Sequence, residues 1–267
     1  MLPKLYQGLD TATNRYGAAL VATWREAKAR SNSNVLIPFS KEDIVRHGDE
    51  LRRLGVTQEK LAVKNIPDII YTFRAREDLP AEIESHGHYA IIGQGKGLYA
   101  FAKIPFANRF TVPVTIKVEK VKNLIPHWAR SYMTHDEQGM LASLQNNDLV
   151  SKYLTLKSAF RLQSHLRMGV KSYGQVEIDE LYVGEKHDGT HVGIAVEAKD
   201  FSSNDCLNVA QLFGASRGIK QLFPALDLHL LGVKPDQNGR VCMAEFYVAD
   251  DPALLKQKKD WLAYELI

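Results

Sequence analysis

Two acids and a lysine, Asp179, Glu197 and Lys199, lie on two short segments, GQVEIDELYVG from Gly174 and HVGIAVEAK from His191, joined by a turn around Lys186-His187-Asp188-Gly189. Carboxylates and an ammonium gathered at one point are the groups with which a chain binds a hard divalent cation and stabilises charge on a phosphodiester. The two-residue period of a strand decides whether they can gather. In the second segment Val192, Ile194 and Val196 fall on one face, and Glu197 and Lys199 on the other. In the first, Glu177 and Asp179 share a face opposite Val176 and Ile178, and Glu180 should face the other side with Tyr182. If Asp188-Gly189 closes a hairpin, an antiparallel register sets Asp179 and Glu177 near Ala195 and Glu197. Opposite side chains are then ~5 Å apart and diagonal ones ~7–8 Å, so two carboxylates can share an ion whose oxygen ligands sit at ~2.1 Å. E-x-K is also the pattern of an exposed, salt-bridged strand face; the surrounding elements favour the site.

Those elements read as helix, strands, helix, strand. His135 to Tyr153 carries Met140, Leu141, Leu144, Leu149 and Val150 at helical spacing, with Asp136 and Glu137 near its start. After the hairpin, Asp200-Phe201-Ser202-Ser203-Asn204 is rich in capping residues, Leu207 to Phe223 has apolar spacing near 3.6, and Leu226 to Val233 reads as a buried strand.

With Glu137 on a leading helix, Asp179 on a strand, Glu197-Ala198-Lys199 on the next and Gln211 on the following helix, the stretch from Thr134 to Val248 resembles the PD-(D/E)xK nuclease superfamily, in its restriction-endonuclease-like branch. It departs from the family's Pro-Asp-like element, since Ile178 precedes Asp179, with Glu177 and Glu180 close by. The first metal ligand is therefore Asp179 or Glu177, and the shared face favours Asp179. The resemblance implies a central mixed sheet flanked by helices, Mg²⁺ as cofactor and double-stranded DNA as substrate. It implies Asp179, Glu197 and the Ala198 carbonyl as metal ligands, with Lys199 stabilising hydroxide or developing charge. Glu137 would accept a hydrogen bond from a metal-bound water, or is simply a favourable acid at a helix N-terminus. Gln211 would orient Lys199 or touch a phosphate, or is a polar residue on the exposed side of its helix.

At 267 residues with net charge +3 the chain can form two domains, and the charge total alone does not announce nucleic acid. Cys206 and Cys242 lack disulfide-framework or zinc spacing, and no stretch approaches membrane-spanning length, so a cytoplasmic location is expected. His187 and His191 read as exposed turn residues rather than ligands.

The N-terminal half is mostly helical. Thr13 to Ala29 places Tyr16, Leu20 and Trp24 on one stripe, and Ser31 to Asn34 stops it. Ser40 starts a second helix running to about Leu54, Thr57 caps a short third through Leu61, and Pro67-Asp68 opens a fourth through Phe73. Tyr89–Ile92 and Leu98–Ala102 then flank Gly93-Gln94-Gly95-Lys96-Gly97 as a hairpin, whose tip lacks phosphate-loop spacing. Helices followed by a glycine- and lysine-tipped hairpin resemble a winged-helix DNA-binding module. Lys64, Arg74, Arg76 and Lys96 are its candidate DNA contacts, alongside Tyr71 and Phe73; solvated basic residues at a helix end would look the same. Arg161 and Arg167, with His165, can line a phosphate-binding cleft or form the basic side of a helix ending before Gly169. Phe110 to Val121 alternates as one strand, and Asn123-Leu124-Ile125-Pro126 marks the border, giving domains 1–125 and 126–267.

The expectation is thus an α/β (α+β overall) chain. Its function would be a Mg²⁺-dependent endodeoxyribonuclease, most simply a type II restriction enzyme acting as a homodimer on palindromic DNA. The competing readings are a winged-helix regulator whose nuclease-like domain does not cut, and a structure-specific repair nuclease.

Overall fold

Ser40 ends one element and begins the next. It closes strand β1 (Leu36–Ser40), and its hydroxyl accepts the Asp43 N–H while the Asp43 carboxylate accepts the Ser40 N–H at 2.8 Å, a reciprocal box that starts α2 (Lys41–Arg53). Before it runs α1 (Arg15–Arg30), and after it α3 (Ile66–Tyr71), a single π turn at Thr72–Arg76, α4 (Ala81–Glu84), β2 (Tyr89–Gly95) and β3 (Leu98–Lys103). These elements come from a computed structural model that describes residues 3–9, 15–55, 66–134, 136–200 and 206–267. The expected third helix at 57–61 and Lys64 lie outside the described residues.

The three strands form an antiparallel sheet in the order β1-β3-β2. Strand β1 is not anticipated by the sequence reading, which passes from the Ser/Asn loop directly to α2. It is short and interrupted by Pro38, but Ile37 and Phe39 alternate inward. Trp24 of α1 is the centre of this core, edge-on to Tyr89 at 4.8 Å and to Phe101 at 5.0 Å.

The second set of elements is β4 (Arg109–Phe110), β5 (Lys117–Val121), α5 (His127–Arg130), α6 (Glu137–Asn146), α7 (Leu149–Leu154), β6 (Ser158–Val170), β7 (Gly174–Glu185), β8 (His191–Ala198), β9 (Leu207–Asn208), α8 (Val209–Leu222), β10 (Asp227–Pro235), β11 (Val241–Phe246) and β12 (Gln257–Leu266). Seven strands make one mixed sheet, β5-β12-β11-β10-β8-β7-β6, in which β8/β10 and β5/β12 are parallel and β7/β8, β10/β11 and β11/β12 antiparallel. Met140, Leu141 and Leu144 of α6 and Leu149, Val150 and Tyr153 of α7 cover one face, packing on Val192, Ile194, Val196, Leu231 and Val233. Each such side chain, fully buried, contributes ~1.5–3 kcal/mol. Helix α8 packs on the sheet's other side, with Gly218 set so close to Val176 and Ile178 that a Cβ there would lie 3.1 Å from the Ile178 side chain.

Four sequence expectations are corrected. The strand expected over Phe110–Val121 is two pieces separated around Pro113, which has no N–H for a ladder. The helix expected from 135 to 153 breaks at Asn147-Asp148, where Asp148 takes φ 52. Lys157–Arg167 belongs to an edge strand, β6, and not to a helix. The chain divides at Asn108/Arg109, with Lys171–Gly174 joining the first unit, instead of near residue 125, because β5 pairs in parallel with β12. No helix among the described residues is long and apolar enough to cross a membrane.

Candidate metal centre

The β7–β8 hairpin turns later than the sequence suggests. Glu185 pairs with His191, and the ladder runs back to Glu180↔Val196. One further step brings Asp179 level with Glu197 itself, a correction of the register that set it near Ala195. Gly189, at φ 84, supplies the left-handed residue this turn needs. The backbone ladder stops at this level, and the Asp179 side chain replaces it: Oδ2 accepts the Ala198 N–H at 2.8 Å.

Strand β7 also changes face here. Val176 and Ile178 pack against α8, whereas Tyr182 lies in the core under α6 and α7 and Gly184 lies against Leu156, Val192 and Ile194. The Tyr182 hydroxyl donates to Glu180, so those two share a side, as the sequence reading expects. Residues of equal parity on opposite faces require a break in the pleat between Ile178 and Glu180. Asp179 sits at that break.

The expected trio is thus gathered and buried. Asp179 is 9%, Glu197 3% and Lys199 5% exposed, which for charged side chains is rare unless something compensates them. Lys199 Nζ donates to Glu197 Oε1 at 3.2 Å. Burial pushes the Glu197 carboxyl up to about 8, Asp179 adds repulsion, and Lys199 only partly offsets the two; Glu137, at the head of α6, contributes a further repulsive charge. Burial likewise raises Asp179, opposed by Lys199 and by the Ala198 N–H. Two carboxylates that together resist ionisation beside an ammonium are oxygen donors of the kind a hard divalent cation takes. Ala198 is fully buried, with its N–H committed to Asp179.

The other expected residues divide. Glu137 is the first residue of α6, whose cap is Asp136, and it stands in the electrostatic neighbourhood of Glu197. Gln211 is in the first turn of α8; its Oε1 accepts from the capping residue Asn208 at 2.6 Å, and its N–H donates to Asn208 Oδ1 at 3.0 Å. Glu177 is exposed and pairs with Arg167 at 2.9 Å, whereas Asp179 is buried. Arg161 donates to the fully buried Glu180 at 2.8 Å. Sequence reasoning singles out neither Glu180 as a buried acid nor Gln138, whose amide meets His165 at 2.8 Å. Gln138's signal was its place beside Glu137 on the helix that faces the site.

In the first unit, Arg74 and Arg76 differ. The Arg74 guanidinium lies 6.0 Å from the Tyr99 ring and 5.9 Å from that of Tyr173, and it donates to the Tyr173 hydroxyl at 3.2 Å. Arg76 is exposed and rests over Tyr71 at 4.8 Å, and Lys96 is exposed at the hairpin tip.

No protein-family model, curated protein or solved structure matches this chain.

Proposed function

We propose that the protein is a Mg²⁺-dependent endodeoxyribonuclease of the PD-(D/E)xK type, hydrolysing phosphodiester bonds in double-stranded DNA. One observation carries the reading: Asp179, Glu197 and Lys199, on adjacent strands, form one buried cluster whose carboxylates are held above their ordinary range. Catalytic sites are where such perturbation clusters, which supports the reading. The mixed sheet flanked by α6, α7 and α8 supports a restriction-endonuclease-like core.

Asp179 and Glu197 would hold the ion, with Glu137 as a more distant acid. When bound, Mg²⁺ neutralises the phosphate's charge and lowers the pKa of a bound water. Lys199 is held by Glu197, and its ammonium is suited to the negative charge that develops as the phosphate is attacked. The low-dielectric surroundings strengthen that interaction relative to water. Ala198 fixes Asp179 through its N–H, so the acid is oriented before substrate arrives.

Arg76 and Lys96 are the first unit's candidate phosphate contacts. The helices α1 to α3 with a β2–β3 wing support a winged-helix reading of that unit. A type II restriction enzyme, working as a homodimer in the cytoplasm, is the simplest version. Incubation of purified protein with plasmid and mixed duplex DNA, with Mg²⁺ or with a chelator, tests the proposal. Discrete Mg²⁺-dependent bands support the restriction reading, and preference for junctions or flaps supports a repair role. Intact DNA under every divalent ion, with binding retained, would leave the non-cutting regulator.

A further inference from the structure

We propose that His165, Glu177 and Asp179 form a second divalent-cation site of mixed nitrogen and oxygen donors, sharing Asp179 with the Glu197–Lys199 centre. One ligand atom from each of the three lies within 4.8 Å of the others. Donors bound to a single ion at ~2.1–2.2 Å lie ~3 Å apart when adjacent and ~4.4 Å when opposite, so the three side chains draw together on binding. His165 and Glu177 are exposed, so their side chains have room to move.

Three features point at a ligand. The first is Asp179: it is nine-tenths buried, and its Oδ2 takes the Ala198 N–H, which fixes the carboxylate in place. A carboxylate held at low exposure is costly to ionise, and a cation beside it offsets that cost. The second is His165, which takes φ +47 inside β6, a left-handed conformation that interrupts a strand and brings Nδ1 to 3.3 Å from Glu177 Oε1. Arg167 occupies the other oxygen of Glu177, Oε2, and leaves Oε1 to the histidine side. The third is Gln138 of α6, whose amide meets His165 Nε2 at 2.8 Å. An amide can present either its oxygen or its nitrogen in that position. With the oxygen turned to an Nε2–H, Nδ1 is left with a lone pair, and the ring has the outer partner that metal-bound imidazoles normally have.

Donor chemistry separates the two sites. Carboxylates and water suit Mg²⁺, whereas an imidazole with two carboxylates suits Mn²⁺ or another first-row transition ion. That the second ion assists phosphodiester cleavage rests on the nuclease reading; that it binds does not.

Electron spin echo envelope modulation of the full-length protein loaded with Mn²⁺ alone tests the site without any reference to activity. The expected spectrum carries nitrogen modulation from a directly bound imidazole, which His165→Ala removes and Lys199→Ala keeps. Gln138→Ala should weaken Mn²⁺ binding by ~10–100-fold. Glu177→Gln, which leaves the histidine in place, should bind one Mn²⁺ fewer per chain in an equilibrium titration. Wild-type protein without nitrogen modulation, or modulation unchanged in His165→Ala, would overturn the site. So would full Mn²⁺ stoichiometry in Glu177→Gln. Nitrogen modulation in a protein that cuts no DNA supports the site while the nuclease reading falls. DNA cleavage in Mg²⁺ without nitrogen modulation removes the site and keeps the nuclease.

Discussion

Each unit holds an ionisable network around a buried side chain, and the two are built on opposite terms. In the first, fully buried His47 joins the Tyr6 hydroxyl at 2.9 Å to Glu26 at 2.9 Å, and Arg46 also donates to Glu26. Burial alone would raise the Glu26 carboxyl, but the hydrogen bonds from Arg46 and His47 outweigh it and hold the group below its ordinary range. In the second, Glu197 is pushed up to about 8 by burial and by Asp179, and Lys199 does not restore it. A buried network that its own chain satisfies is architecture; one left short of positive charge is the mark of a site completed from outside.

The comparison breaks most visibly in catalysis. Lys199→Ala should lower DNA cleavage by ~10²–10³-fold, the range for losing one group that stabilises a transition state's charge, and Glu197→Ala should abolish it; both should still bind DNA in Ca²⁺. Cleavage assays on folded variants decide, and wild-type rates in either would return the cluster to mere architecture.

Stability against pH sharpens the contrast. An unfolded Glu197 titrates near its ordinary 4.5, so between about 4.5 and about 8 the unfolded chain releases a proton that the folded, metal-free protein keeps. Stability therefore falls as pH rises through that window, and the loss is constant above it. Glu197→Gln escapes the loss, so in chelator it should match the wild type near pH 4.5 and exceed it at pH 8.5 by on the order of 2–4 kcal/mol. Denaturant unfolding at the two pH values measures this, and a variant less stable at pH 8.5 would contradict it.

His47 behaves in the opposite sense. Burial lowers its pKa below the ordinary 6.5, so its neutral form belongs to the fold and stability is lost as pH falls from about 6.5 through the folded value. His47→Ala should cost ~1–3 kcal/mol at pH 7, because Tyr6 and Glu26 lose a partner, and should flatten the acid dependence. An acid-insensitive wild type would remove the contrast.

How much of this was legible in the sequence follows from what each signal depends on. Local signals held: the helix started at Ser40, the helix within Leu207–Phe223 and the strand from Leu226 are written in neighbouring residues, although the second helix takes its cap from Asn208 and not from the stretch before it. Asp179, Glu197 and Lys199 were legible as a trio because strand parity is local, but their register depended on where the turn closed. Strand β1 was hidden because a short strand draws its stability from its partner β3, and β6 was hidden because its basic residues fit a helix as well as an edge strand. The pleat break at Asp179 and the contact between Gln138 and His165 arise from tertiary packing, which spacing along the chain does not encode.

The smallest expected effect is in DNA binding. Arg76→Ala and Lys96→Ala should each weaken it across sequences and reduce the slope of log affinity against log salt by ~1, while Arg74→Ala, stacked between Tyr99 and Tyr173, should act chiefly on the stability of its unit. Binding titrations at several salt concentrations check the difference.

The most direct test compares wild-type protein with Lys199→Ala on one defined DNA duplex in the same Mg²⁺ buffer, after equal binding in Ca²⁺ has been established. The nuclease account predicts cut strands from the wild type, cutting slower by ~10²–10³-fold from the variant and intact strands from both in chelator. Equal cutting by the two proteins, or none by the wild type, would contradict it.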